Sequence, residues 1–156
     1  MKIKSCATAA VFVAACIAAP LCAQPSQYHR IVTPDDLQWV DIGSLPPGAK
    51  IAVIEGNPNS EGMVTIRIKL PPNYRVPPHY HSTVERSTIM SGTLNIGMGE
   101  KLDTQKTSAM PAGTVLLMPP NMAHFGWTKD EVIFQLNVMG PWTVTYLNPA
   151  DDPRKK

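Results

Sequence analysis

Alternation of apolar and polar residues is the main pattern along this chain, and it predicts short β-strands. Residues 62–70 are the clearest case, because every second side chain is aliphatic and successive side chains of a strand point to opposite faces. Similar runs, bounded by glycine and proline turn signals, lie at 51–54, 92–98, 114–118, 123–128, 131–139 and 142–147. Residues 99–112 are polar and predict turns. No segment of useful length has a helical period, so the pattern indicates an all-β sandwich or barrel.

One stretch adds potential metal ligands to this pattern. Residues 77–92 read P-P-H-Y-H-S-T-V-E-R-S-T-I-M-S-G. His79, His81 and Glu85 stand two and four residues apart, so within one extended strand all three would lie on the same face. β-branched and aromatic neighbours predict a strand pair as the backbone of this stretch. An isolated H-x-H pair is usually a surface or core feature, whereas the added carboxylate favours a metal site.

Two spacings resemble the motifs of the cupin superfamily. The first is H-x-H-x3-E-x6-G, which begins at His79. The second is G-x5-P-x-N-x2-H, which ends at His124; Asn121 stands where glycine is usual, and Thr128 stands where an asparagine that is not a ligand is usual. Asparagine tolerates left-handed backbone angles, so the change at Asn121 is mild. The resemblance covers residues 62–140.

The resemblance implies a single-domain, cupin-type jelly-roll β-barrel with a proline-rich N-terminal arm. It also implies a metal that is held by His79, His81, Glu85 and His124. Four such groups inside a barrel are costly without a partner, and one divalent transition metal (Fe, Mn, Zn, Ni or Cu) would satisfy them together. The alternative is a degenerate barrel whose cavity holds water. Because the imidazoles must be neutral to bind, loading is expected to fall below about pH 6.

A polar pair in the penultimate strand is a candidate for substrate contact. Gln135 and Asn137 share one face, and they could project into the cavity. The alternative is the solvent side of an ordinary antiparallel strand. Trp142, which follows a Gly-Pro pair, is expected to pack.

The N-terminus has the layout of a secretory signal peptide. Residues 1–23 carry two lysines, an apolar run and a small residue before Gln24, and the run is too short for a comfortable membrane span. All three cysteines lie in this segment, so cleavage after Ala23 would leave a mature chain without a disulfide. The sequence therefore predicts a periplasmic or secreted protein.

The mature chain is expected to have an arm (24–48), a barrel (49–150) and a charged tail (151–156) that is solvated. Removing Lys2 and Lys4 from the 14 basic residues leaves 12, which equals the number of acidic residues. A charge near zero indicates neither nucleic acid nor an anionic membrane as a partner.

Three functional hypotheses follow. The first is an enzyme, because a mononuclear metal with these ligands keeps open positions for a small molecule or O2. The cupin superfamily includes dioxygenases, decarboxylases and isomerases, so the resemblance does not choose the reaction, although oxygen chemistry is the leading class. The second is a non-catalytic module that binds a small molecule or metal. The third is an assembly role, in which the arm crosses to the partner subunit of a homodimer.

Overall fold

The polypeptide folds as a β-structure, as the alternating pattern predicted. The computed structural model describes residues 29–156; the signal peptide expected at 1–23 and the first residues of the arm, 24–28, lie outside them. Within the described residues, the chain forms these strands: β1 Val40–Asp41, β2 Lys50–Glu55, β3 Gly62–Leu70, β4 Arg75–Tyr80, β5 Glu85–Ser91, β6 Thr93–Met98, β7 Ser108–Pro111, β8 Val115–Met118, β9 His124–Thr128, β10 Val132–Gly140 and β11 Thr145–Tyr146. Short 3₁₀ turns lie at Pro34–Asp36, Pro149–Asp151 and Pro153–Lys155.

Two antiparallel sheets face each other across one hydrophobic core. The order is β1-β2-β3-β10-β5-β8 in the six-stranded sheet and β11-β4-β9-β6-β7 in the five-stranded sheet. Ile66 and Leu136 of the first sheet and Leu94 and Ile96 of the second are buried in a common cluster. This arrangement is the jelly roll that the sequence predicted, and residues Val32–Lys156 form it as one compact unit.

The strand pair around the H-x-H stretch differs from its predicted form. β4 ends at Tyr80, His81 follows it, and Glu85 is the first residue of β5. The three candidate ligands therefore do not lie on one strand, and the parity argument is wrong about the backbone. A bend at residues 82–83 carries the chain from the five-stranded to the six-stranded sheet, and Glu85 Oε1 lies 3.3 Å from His81 Nε2.

Two tight turns hold this region together. Gly92 has a φ of 74° in the turn that joins β5 to β6, two strands of different sheets, and a side chain there would collide with the carbonyl oxygen of Glu131. Asn121 has a φ of 61°, which confirms that it takes the left-handed angle expected of the glycine it replaces. Its backbone N–H donates to the carbonyl oxygen of His81 at 2.8 Å. The second motif is thereby joined directly to the first.

Parts of the arm and of the tail pack against the barrel. Ile42 and Leu45 of the arm are buried in the core, whereas Val40 is exposed. The tail is not simply solvated, because Asp152 is buried and Arg154 donates both to its carboxylate and to the carbonyl oxygen of Val144. Among the described residues, there is no helix with the length and apolar character needed to span a membrane.

Candidate metal centre

Three histidines from neighbouring strands meet inside the barrel. His79 in β4 is the register partner of His124, the first residue of β9, and His81 comes directly after β4. The imidazole centroids are 4.3 Å apart for His79 and His124, 4.9 Å for His79 and His81, and 5.2 Å for His81 and His124. All three are buried, and one ring nitrogen of each lies within 4.8 Å of the other two.

A backbone carbonyl orients each of these rings. The three Nδ1 atoms lie at hydrogen-bonding distance from main-chain oxygens: His79 to Pro77 at 2.7 Å, His81 to Thr143 at 2.7 Å, and His124 to Met122 at 2.9 Å. A carbonyl oxygen only accepts, so each neutral ring carries its proton on Nδ1 and keeps the Nε2 lone pair available. Metal-binding histidines use such a second partner to set the tautomer and the ring direction.

Burial keeps the three imidazoles neutral. It lowers the pKa of His79 well below its ordinary value, and the neighbouring His124 and His81 lower that pKa further. Burial lowers the pKa of His81 to about 4, against the opposing effect of the hydrogen bond to Thr143. The pKa of His124 is also lowered, chiefly by burial. Because a metal binds only the unprotonated ring, these ligands stay available at a pH at which an exposed histidine is charged.

Glu85 brings a carboxylate to the edge of the three imidazoles. Its Oε1 atom lies 3.3 Å from His81 Nε2 and accepts a hydrogen bond of 3.0 Å from Trp142 Nε1. Burial raises the pKa of Glu85, and the Trp142 hydrogen bond and the proximity of His124 oppose this shift. Among the described residues, the set of atoms within 4.8 Å of one another contains the imidazoles and not this carboxylate. The assignment of Glu85 as a fourth ligand stays a prediction.

The donor set suits a divalent transition metal. Neutral imidazoles are good ligands for Zn, Cu, Fe and Ni, and a carboxylate broadens the set to Mn. A buried carboxylate without an opposite charge is costly. Here Glu85 Oε1 lies next to His81 Nε2, which carries no proton because the proton of that ring is on Nδ1. A cation between these groups would compensate the carboxylate and use the lone pair.

Trp142 is a site residue that sequence reasoning missed. Its ring stacks on His81 with centroids 5.8 Å apart and planes 19° apart, while its Nε1–H donates to Glu85. Its own backbone N–H donates to the carbonyl oxygen of Pro58 at 2.8 Å, and the next residue, Thr143, supplies the carbonyl that orients His81. No local spacing links residue 142 to residue 85, so the sequence indicated only packing.

A cavity of about 50 Å³ lies beside the imidazoles. Roughly 10–15 Å³ suffices for one water molecule, so this cavity admits a few waters or a small organic group. Its walls are mostly apolar and come from both sheets: Ile68, Leu116 and Phe134 from one, and Leu94 and Ile96 from the other. The polar part of the lining consists of the imidazoles, Glu85, Ser87 and Trp142.

Gln135 and Asn137 lie elsewhere. β10 contributes Phe134 to the cavity wall, and the alternation of the strand turns its neighbours to the other face of the sheet. There, Gln135 Oε1 accepts from Arg67 Nε at 3.3 Å, and Asn137 Nδ2 donates to Thr65 Oγ1 at 2.9 Å. The structure brings neither of them to the cavity.

Sequence comparison finds plant relatives. No protein-family model matches the chain. It is 30% identical to germin-like protein 3-1 of Oryza sativa subsp. japonica over 89 residues, which are 53% of this chain and 40% of the relative. It is 31% identical to germin-like protein 5-1 of the same plant over 106 residues, which are 65% of this chain and 48% of the relative. The chain thus spans less than half the length of these curated relatives.

Solved structures share the fold at low sequence identity. The polyketide cyclase RemF from Streptomyces resistomycificus superposes with a TM-score of 0.66 and 16% identity, covering 82% of this chain and 92% of RemF. An RmlC-like cupin from Shewanella frigidimarina gives a TM-score of 0.56 and 15% identity, covering 72% of this chain and 91% of that one. The chain therefore has the cupin fold.

An oxalate oxidase is a further structural neighbour, with a TM-score of 0.52 and 21% identity over 68% of this chain and 58% of that enzyme. At such identities the likeness concerns the fold alone. The fold explains why the two motifs meet, since β4 and β9 are adjacent strands of one sheet. The chain has a cupin fold with three buried histidines that could hold a metal.

Proposed function

We propose that this cupin binds one divalent transition metal through His79, His81 and His124, with Glu85 as the fourth ligand, and acts there on a small organic molecule. The observation that carries the proposal is the group of three buried imidazoles, each with Nδ1 held by a backbone carbonyl and one nitrogen within 4.8 Å of the others. Buried polar groups are costly unless they are used, so simple core packing would favour apolar side chains at these positions.

Oxygen chemistry is the reaction class we propose. When bound, a metal at such a centre supplies Lewis-acid polarisation or redox activation of a coordinated molecule. The chain's own residues hold three neutral donors in place and keep a carboxylate beside them that can take up a proton. The apolar walls of the cavity limit the access of water to the imidazoles. The oxalate oxidase among the structural neighbours supports this class without naming the reaction of this chain.

Metal titration of histidine variants tests the binding function. His79→Ala, His81→Ala and His124→Ala should each abolish tight loading in calorimetry of the purified exported protein. His29→Ala is the matched control, because His29 is exposed and outside both motifs, and it should bind like wild type. If the triple variant took up as much metal as wild type, the site assignment would be wrong.

The second candidate function is a binding module without turnover. It is favoured by the lining of the cavity, in which the part of the chain that the structure describes places no catalytic pair beyond the imidazoles and Glu85. Measuring O2 uptake with the metal-loaded protein and a panel of small molecules separates the two. Binding without O2 consumption or product would favour the module.

Export is also part of the proposal, supported by the charged, apolar and small-residue order of residues 1–23. Mass spectrometry of protein collected outside the cytoplasm should find a chain that begins near Gln24 and has no thiol. Exported material that keeps residues 1–23 would contradict this prediction.

A homodimer is a further part of the proposal, and the proline-rich arm supports it. Sedimentation velocity of the same exported protein would test this.

A further inference from the structure

The walls of the cavity carry little charge. Among the described residues that line it, there is no lysine or arginine, and the hydroxyl of Ser87 and the indole of Trp142 are uncharged. The apolar residues come from five strands, β3, β4, β6, β8 and β10, and from Leu45 of the arm. A ligand that fills this space therefore contacts aliphatic and aromatic carbon over most of its surface, and burying apolar area favours an apolar body.

The charges near the imidazoles limit the anionic groups that a ligand can bring. Glu85 brings one carboxylate, 3.3 Å from His81 Nε2, and an imidazole that binds a metal is neutral. With a divalent cation on these groups, the site has one net positive charge. One anionic group on the ligand brings the buried charge to zero, whereas a second would lie in an apolar pocket with no cation beside it, and burying an unpaired charge is costly.

We propose that the cavity takes a small molecule with an apolar body and at most one anionic group, which faces the imidazoles, and that it rejects dicarboxylates. The proposal rests on the metal-binding function proposed above and specifies the substrate class of the same site. It separates this cupin from any enzyme that acts on a compact dianion, despite the shared fold.

Butyrate and succinate form a matched pair for the test, because they share a chain length and differ by one carboxylate. The exported protein is loaded with Zn²⁺, its metal content is measured, and each acid is titrated by calorimetry. We expect butyrate to bind at least about tenfold more tightly than succinate. The free-energy difference that corresponds to a tenfold affinity ratio is small compared with the cost of burying an unpaired charge. Equal or tighter binding of succinate would overturn the proposal.

Two lysine substitutions in β8 show whether the lining sets this preference. Leu116 lines the cavity, whereas the adjacent Leu117 is 64% exposed on the outer face. Leu116→Lys should bring succinate up to the affinity of butyrate, and Leu117→Lys should leave the ratio of wild type. Equal effects of the two substitutions would place the selectivity outside the cavity and overturn the proposal. The wild-type comparison decides the matter alone if Leu116→Lys does not fold.

Failure of the metal-binding function would be visible separately, as protein without metal. The ligand class would then be decided on that metal-free protein by methyl NMR, with butan-1-ol and succinate as probes. Shifts at Leu116 with the alcohol and none with succinate would support the proposal. No shift with the alcohol, or a larger one with succinate, would overturn it.

Discussion

The contact between Trp142 and Glu85 is the residue-scale feature that most directly shapes the centre. Trp142→Phe keeps an aromatic ring against His81 but removes the N–H that donates to Glu85 Oε1. Loss of a partner next to a metal ligand typically lowers metal affinity by about 10–100-fold, and we expect an effect in this range by calorimetry. Trp127→Phe is the control, because it removes an indole hydrogen bond to Thr107 away from the imidazoles. Equal affinities of the two variants would show that the Trp142 N–H does not position Glu85.

Glu85 itself should give a graded result. Glu85→Gln keeps the size of the side chain and removes the negative charge, so metal affinity should fall while the three imidazoles still hold some metal at high concentration. Calorimetric titration of the metal-free variant measures this. An affinity identical to that of wild type would remove Glu85 from the ligands and leave a three-histidine site, which would favour a hydrolytic or purely binding role over oxygen chemistry.

The resemblance to the two cupin motifs implied the three histidines, but not the contacts that orient them. The H-x-H pair and the second motif could be read because each is short and continuous in the sequence. The carbonyl of Thr143 and the indole of Trp142 reach His81 and Glu85 from a distant segment. That approach depends on how the chain returns after β10, and no local pattern encodes it.

At the scale of elements, the turn between β5 and β6 depends on Gly92, and Gly99, which follows β6, serves for comparison. Gly92 and Gly99 both have positive φ angles, 74° and 111°, but only at Gly92 would a methyl group meet the backbone of residue 131. Each change to alanine should cost roughly 1–3 kcal/mol through backbone strain, and Gly92→Ala should cost more because of the added collision. Urea unfolding measures the difference. A smaller loss for Gly92→Ala than for Gly99→Ala would contradict this account of the turn.

Strands with one buried face were predictable, and β7 was not. β3 and β10 alternate because one face of each meets the core. β7 is an edge strand that pairs only with β6, and most of its residues are exposed, so neither face needs apolar side chains. The parity argument for His79 and Glu85 failed for a related reason. The two side chains converge because of the bend between β4 and β5 and because each of these strands pairs with its own neighbours. The spacing of the residues in the sequence shows neither feature.

At the scale of the whole molecule, the metal-free protein should lose stability as pH falls from about 6.5 towards 4. Folding lowers the pKa values of His79, His81 and His124, so in this range the unfolded chain binds protons that the folded chain does not. Each group contributes about 1.4 kcal/mol per pH unit. Glu85 acts in the opposite direction because burial raises its pKa, but it is one group against three. Calorimetry should therefore show a falling Tm, and a constant or rising Tm would contradict these shifts.

The same shifts revise the pH dependence expected from the sequence. Loading was expected to fall below about pH 6, the range of an ordinary histidine. With the pKa of His81 lowered to about 4, protons compete for this ring only at lower pH. The metal-loaded protein should thus keep its metal at about pH 5, and elemental analysis after dialysis measures this. Complete loss of metal near pH 6 would show that the rings titrate as exposed histidines do.

The central claim is that three imidazoles of this protein bind one metal ion, and X-ray absorption at the edge of the bound metal tests it most directly. Scattering from the outer atoms of imidazole rings gives the number of histidine ligands, independently of activity. The account predicts three histidines and oxygen donors for wild type and for the His29→Ala control, at about one metal per chain. His79→Ala, His81→Ala and His124→Ala should each lose tight loading, so any metal that remains should show fewer histidines. A wild-type spectrum with no histidine ligand, or one left unchanged by all three substitutions, would contradict it.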